Sequence, residues 1–206
     1  CIGQVIPFLQ GKSPTLARQI CADGFLPRAS RFDQLEEMDW AYGSMGIQDK
    51  AKHLATLFLE DISDFIVERI DPDFGFSRYA EKLGMSANSF DELYSRLQEA
   101  PSYVVSLATG ILQERMNEIQ PKMVCLSVPF PGNLYSAFRC AQHIRTHYPE
   151  VKVAMGGGFP NTELRELKDP RVFEFFHFIS LDDGEVPIEL LTKHVLSAED
   201  GIPALK

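Results

Sequence analysis

The chain has 206 residues, of which 45% are apolar, and its formal net charge at pH 7 is −9. This length and apolar content suit one globular domain, or one domain with a large appendage. The negative charge argues against a nucleic-acid partner. Every apolar run is shorter than the ~20 residues of a membrane-spanning helix. We therefore expect a globular protein that binds neither nucleic acid nor membrane.

The first hundred residues are predicted to be mostly helical. Cys1–Leu9 is apolar but is interrupted by a glycine and a proline, so we expect an edge strand or an extended arm. Ser13 followed by Pro14 predicts a helix start with Ser13 as the N-cap. Gln48–Ile70 has the strongest helical pattern of the chain, and a proline follows it. Further helices are predicted at residues 31–42, 77–83 and 89–97.

From Pro101 onwards the pattern alternates between helix and strand. A long helix is predicted to end at Gln120, and its apolar face carries Val104, Ala108, Ile111, Leu112 and Ile119. The later predicted elements are strands at residues 123–128, 151–155 and 177–181, and helices at residues 133–147 and 186–196. This alternation is typical of an α/β fold with a parallel sheet and helices on its faces.

The predicted fold is therefore flavodoxin-like or Rossmann-like, with a large helical insertion or subdomain. Residues 101–206 are expected to form the sheet domain, and residues 1–100 a mostly helical segment that packs on it. The first predicted strand is almost continuously apolar, as is typical of a buried parallel strand.

The four cysteines predict no metal site within this chain. Cys1, Cys21, Cys125 and Cys140 form no C-x-x-C pair and no cluster with histidine. Cys125 lies in an apolar run and Cys140 on a predicted amphipathic helix, so both are expected to be small core residues. No signal peptide is visible, and together these features predict a reducing, cytoplasmic location.

Three loops follow the predicted strands and form the candidate binding site. In an open parallel sheet, ligands bind at the carboxyl ends of the strands. The loops are Ser127–Asn133, Gly156–Thr162 and Asp182–Glu185. The first offers a serine hydroxyl and a tight turn, and the second has three consecutive glycines that let a flat or bulky ligand approach the backbone.

Other interpretations of these loops remain open. A glycine after a strand often serves only to turn the chain. The G-G-G-F-P-N run (156–161) is not a dinucleotide fingerprint, and no phosphate-binding P-loop is present. Asp182, Asp183 and Glu185 could bind a metal or act as acid and base, but solvated acids at a helix start are commoner. No Ser-His-Asp or Cys-His nucleophile is indicated.

The three loops together resemble a known family. S-V-P-F-P-G-N (127–133), M-G-G-G-F-P-N (155–161) and L-D-D-G-E (181–185) are similar to the cobalamin-binding domain of radical S-adenosylmethionine proteins. The most similar branch is that of magnesium-protoporphyrin monomethyl ester cyclase-like proteins. The resemblance covers roughly Tyr103–Leu196. It implies a cofactor-binding set of Ser127, Val128, Pro129, Gly132, Asn133, Gly156, Gly157, Gly158, Gly184 and Glu185.

In that family, the serine and the paired glycines line the channel for the nucleotide tail of cobalamin, and the Gly-Glu pair marks the radical enzymes. The resemblance implies a parent enzyme, an oxidoreductase or methyltransferase, that uses S-adenosylmethionine and a four-iron four-sulfur cluster on a small-molecule substrate. Its catalytic domain would lie C-terminal to Lys206, because the C-x-x-x-C-x-x-C of the cluster is absent here. By itself this chain is then not expected to be a catalyst.

The chain also departs from the family pattern. It lacks the D-x-H-x-x-G that supplies a histidine to cobalt, so no axial ligand is assigned. The first two strands of a doubly wound sheet are not evident, which predicts an incomplete sheet. The alternative hypothesis is a degenerate flavodoxin-like docking module that does not bind cobalamin.

Overall fold

The computed structural model describes residues 1–35, 46–76, 78–85 and 90–197. The chain divides into two compact units, Cys1–Pro72 and Asp73–Lys206. None of the helices in the described ranges is both long enough and apolar enough to cross a membrane.

The first unit is helical. It contains α1 (Ile2–Leu9), α2 (Ala17–Ile20) and α3 (Ile47–Arg69), with short 3₁₀ helices at Pro14–Leu16 and Ser30–Leu35. These elements bury one apolar cluster: Val5, Phe8, Ala17, Ile20, Leu26, Phe32, Ala51, Leu54, Ala55 and Phe58.

One prediction for this unit is wrong and two are confirmed. Cys1–Leu9 is neither a strand nor an arm, because Val5 and Phe8 lie three residues apart on one helical face and are buried in the cluster. The predicted helix start is present: Ser13 is the N-cap of the 3₁₀ helix that begins at Pro14, and its side chain forms no capping hydrogen bond. The long helix predicted at 48–70 is present as α3. Of the helix predicted at 31–42, residues 36–42 lie outside the described ranges.

The second unit is α/β. Its elements are α4 (Glu81–Met85), α5 (Phe90–Gln98), α6 (Tyr103–Ile119), β1 (Met123–Ser127), α7 (Pro131–His147), β2 (Lys152–Gly156), α8 (Gly158–Thr162), a 3₁₀ helix (Pro170–Glu174), β3 (Phe178–Ile179) and α9 (Glu185–Ser197). The three strands are parallel and lie in the order β1-β2-β3. The predicted α/β character with a parallel sheet is confirmed.

One face of the sheet packs against α7. Val124, Leu126, Val153 and Met155 contribute to the same apolar cluster as Phe138 of α7. The sequence pattern of this helix predicts an inward face formed by five residues, and all five are buried: Leu134, Ala137, Phe138, Ala141 and Ile144. The periodicity of 3.6 residues therefore identified the correct face.

The division between the units differs from the predicted boundary at residues 100/101. Phe90, Leu93 and Leu97 of α5 are buried in the cluster that covers the sheet, so α5 belongs to the second unit. Helix α4 also packs on α7, and its Gly84 leaves no room for a side chain against the carbonyl of Pro131.

The prediction of a buried first strand is also wrong. β1 is an edge strand of the described sheet, and Cys125 and Ser127 on one of its faces are exposed. Cys125 is therefore not a core residue. Its neighbour in the sheet, Ala154 of the central strand β2, is buried.

Candidate functional site

A cavity of about 400 Å³ opens at the carboxyl ends of the three strands. It extends between the sheet and α9, because residues from both line it. The apolar side chains of Ile188 and Leu191, three residues apart on one face of α9, form its roof. The cavity is therefore a slot with an open end at the loops.

Small side chains form the floor of this slot. Cys125 lies opposite Ala154, and Ser127 opposite Gly156, so each pair projects from the same face of the sheet. Ser180 follows β3 and continues this face. A Cβ placed on Gly156 would lie 3.5 Å from the Cβ of Ser180, which is an ordinary contact. Because none of these residues is large, the slot admits a flat group.

Gly157 has a different role from Gly156. Its φ of +107° and ψ of −179° are essentially accessible only to glycine. A Cβ here would lie 2.8 Å from the nitrogen and 2.9 Å from the oxygen of Val128. Both of these backbone groups form hydrogen bonds. The Val128 N–H donates to the Gly156 oxygen at 2.8 Å, and the Phe159 N–H donates to the Val128 oxygen at 3.0 Å. Gly157 therefore lets the loops after β1 and β2 meet.

A polar network joins the loop after β2 to the loop after β3. The Asn161 Oδ1 accepts hydrogen bonds from the Asp182 N–H at 3.0 Å and from Arg165 Nη2 at 2.6 Å. Arg165 also forms an ion pair with the Asp182 carboxylate. Asp182 adopts a left-handed conformation, with φ of +62°. The network holds the Asp-Asp-Gly-Glu loop at the mouth of the slot.

The structure brings six of the ten predicted site residues to this cavity. These are Ser127, Gly156, Gly157, Gly158, Gly184 and Glu185. The other four, Val128, Pro129, Gly132 and Asn133, are not among the lining residues.

The packing explains why those residues lie elsewhere. Val128 is fully buried beneath the loops. Pro129 lines a second cavity, of about 360 Å³. A Cβ on Gly132 would lie 2.7 Å from the Cα of Arg78, so this glycine permits close backbone packing. Asn133 lies in the first turn of α7, where its N–H donates to the Phe130 oxygen at 3.0 Å.

The sequence interpretation missed the floor and roof of the slot. Cys125, Ala154, Ser180, Ile188 and Leu191 all line it. Alternation along a strand could have found Cys125, because it lies two residues before Ser127 and shares its face. Ser180 and Ala154 could be assigned to the lining of the slot only once the register of the strands was known.

The chemistry of the lining suits binding rather than metal coordination. Within the described ranges, no group of three or more His, Cys, Asp or Glu residues is arranged to hold a metal ion. Partial burial raises the pKa of the Cys125 thiol, so this group is a neutral thiol at pH 7. The Ser180 hydroxyl oxygen is buried and has no hydrogen-bond partner in the part of the chain that the structure describes. The slot thus offers apolar walls and a few convergent polar groups.

Comparisons of the chain with family models, with curated proteins and with solved structures found no match.

Proposed function

We propose that the second unit binds a corrinoid cofactor and belongs to a radical S-adenosylmethionine enzyme. The observation that carries this proposal is the convergence of the three motif loops. Ser127, Gly156 and Gly184 come from three segments far apart in sequence, yet all line one cavity. Convergence at the carboxyl ends of parallel strands supports a ligand site.

The size of the cavity limits which part of the cofactor enters it. A volume of about 400 Å³ lies near the lower end of the range of small-molecule pockets, about 300–1,000 Å³. Such a volume suits a ribonucleotide tail with an aromatic base, whereas a whole corrin ring system exceeds it. The flat floor and the apolar roof from Ile188 and Leu191 also fit an aromatic base. The residues of the slot therefore fit the tail of cobalamin.

The residues of this chain would bind and orient the cofactor. Among the described residues, no histidine lines the slot, so this lining supplies no imidazole for cobalt. When bound, cobalamin supplies methyl-transfer or redox chemistry, and the parent enzyme adds the radical chemistry of S-adenosylmethionine and its cluster. A catalytic domain C-terminal to this chain, a small-molecule substrate and a cytoplasmic location are parts of the same proposal.

The test is a titration of the purified chain with hydroxocobalamin, followed by calorimetry and absorbance. We expect saturable binding of one cofactor per chain. Gly156→Leu should abolish binding, because the new side chain would project over the floor of the slot next to Ser180. Gly110→Leu is the matched control, since Gly110 lies on α6 and a Cβ placed on it would face open space.

Both arms of this experiment can refute the proposal. Absence of saturable binding to the unmodified chain would overturn it and favour the degenerate docking module. Equal binding by the Gly156→Leu and Gly110→Leu variants would show that cobalamin binds outside the slot. Gly157 is unsuitable for this purpose, because a side chain there collides with the Val128 backbone whether or not a ligand binds.

A further inference from the structure

Ser180 is a polar residue in an otherwise apolar and glycine-rich part of the slot. Its backbone is fixed by the sheet, since the Ser180 N–H donates to the Met155 oxygen at 2.8 Å. Its side chain lies on the floor face next to Gly156, and Ser180 lines the slot. The hydroxyl oxygen is nevertheless buried, and the described residues give it no partner.

A buried hydroxyl without a partner is destabilising. Most buried side-chain polar atoms in folded proteins have at least one hydrogen-bond partner, so an exception calls for a cause. Since no hydrogen bond from the described residues holds the Ser180 side chain in its present rotamer, a rotation about Cα–Cβ can turn the hydroxyl towards the slot. The hydroxyl can then both donate and accept.

We infer that Ser180 is a specificity-determining residue that forms a hydrogen bond with a heteroatom of the aromatic base in the slot. This inference rests on the proposed function, because it assigns the base to the cofactor tail. A nitrogen heterocycle satisfies the hydroxyl, whereas a hydrocarbon ring of the same size leaves it unpaired. A site with a buried polar group discriminates strongly against ligands that cannot pair with it.

The position of Ser180 among the residues that line the slot makes this discrimination possible. Ala154 and Ile188 give apolar contact to any flat ring and do not distinguish one ring from another. Among the floor residues, Ser127 and Ser180 lie on either side of Gly156, but Ser127 is exposed, whereas the Ser180 hydroxyl oxygen is buried. Ser180 is therefore placed to contact the edge of an inserted ring.

The test compares Ser180→Ala with the unmodified chain, using two corrinoids. Hydroxocobalamin has the nucleotide tail with its heterocyclic base, and cobinamide lacks it. We expect Ser180→Ala to weaken hydroxocobalamin binding about tenfold, the effect of one neutral hydrogen bond. Cobinamide affinity should stay unchanged. Ser106→Ala, on the exposed surface of α6, is the matched control and should change neither affinity.

A second measurement does not depend on the cofactor. In the free protein, Ser180→Ala removes an unpaired buried hydroxyl, so the urea midpoint of unfolding should stay the same or rise. A fall in the midpoint would mean that Ser180 has a partner in the folded chain, and would overturn the inference.

The outcomes separate this inference from the proposed function. If the unmodified chain fails to bind hydroxocobalamin, the proposed function fails. If it binds and Ser180→Ala binds equally well, the proposed function stands and the role of Ser180 is refuted. An equal loss of affinity for both corrinoids would also refute it, because the effect would not depend on the tail.

Discussion

Replacing Gly157 with alanine should destabilise the second unit strongly, although the change adds only one methyl group. The backbone of Gly157 has φ of +107° and ψ of −179°. L-residues are strained in this region, at a cost of about 1–3 kcal/mol. The new Cβ would also lie within 3.0 Å of three backbone atoms of Val128, which belong to the chain rather than to a flexible side-chain tip.

The second contribution to the loss of stability comes from the collision of the new Cβ with the Val128 backbone. Relieving it must separate the loops after β1 and β2 and weaken the hydrogen bonds on both sides of Val128, to Gly156 and from Phe159. Overpacking of this kind costs about 1–3 kcal/mol. Together the two effects predict a loss of about 2–6 kcal/mol in the free energy of unfolding, a large part of the total stability of a typical domain.

The adjacent glycine is the matched control. A Cβ on Gly158 would have the Pro129 oxygen at 3.5 Å as its nearest neighbour, and its φ is not positive. Gly158→Ala should therefore change the free energy of unfolding by less than about 1 kcal/mol. Urea unfolding followed by circular dichroism measures both variants. If Gly157→Ala is as stable as Gly158→Ala, the assignment of Gly157 to loop packing is refuted.

Three further predictions concern stability. Arg139 is 5% exposed and donates hydrogen bonds to three backbone carbonyls at the end of α5. Arg139→Met should lower the free energy of unfolding, measured with urea, by about 3–5 kcal/mol. A decrease of less than about 1 kcal/mol would contradict this prediction. Gly84→Ala should separate α4 from Pro131 and lower the free energy of unfolding by about 1–3 kcal/mol. The near-ultraviolet circular dichroism spectrum should weaken. An unchanged spectrum and an unchanged urea midpoint would refute the close packing. Burial, aided by a neighbouring arginine, lowers the pKa of His177 from 6.5 to about 4. As the pH falls, His177 therefore binds its proton at a higher pH in the unfolded chain than in the folded chain. The free energy of unfolding should drop by about 1–2 kcal/mol between pH 6.5 and 4. His177→Asn, which keeps an acceptor for the Val153 N–H, should remove that pH dependence, and an unaltered profile would refute the assignment.

Much of the fold could be predicted from periodicity. Helices α3 and α7 have long amphipathic patterns, and the structure contains both within a few residues of the predicted bounds. The bounds predicted for helix α6 are close to those observed, but its predicted inward face was wrong: Ile111 and Ile119 are 64% and 66% exposed, whereas Val105 and Met116 are buried. Apolar residues lie around much of this helix, so the pattern alone does not single out one face.

The strands show a different limit. Their existence and order along the chain follow from apolar runs between helices, but burial depends on position in the sheet. β1 has the composition of a central strand and lies at the edge of the described sheet, which leaves Cys125 exposed. At the N-terminus, α1 contains a proline and a glycine that disfavour a helix, and burial of Val5 and Phe8 outweighs that local preference.

The three consecutive glycines that begin at the end of β2 have different roles, so each must be tested by its own substitution. Gly156 has an ordinary conformation, and its missing side chain leaves space above Ser180. Gly157 has a conformation that only glycine tolerates, and its missing side chain gives space to Val128. A substitution at Gly157 would therefore disrupt this loop whether or not the slot binds cobalamin, so a loss of binding in that variant would not test the slot. By contrast, a substitution at Gly156 changes the slot without changing the backbone that frames it, so binding data for that variant discriminate between the two hypotheses.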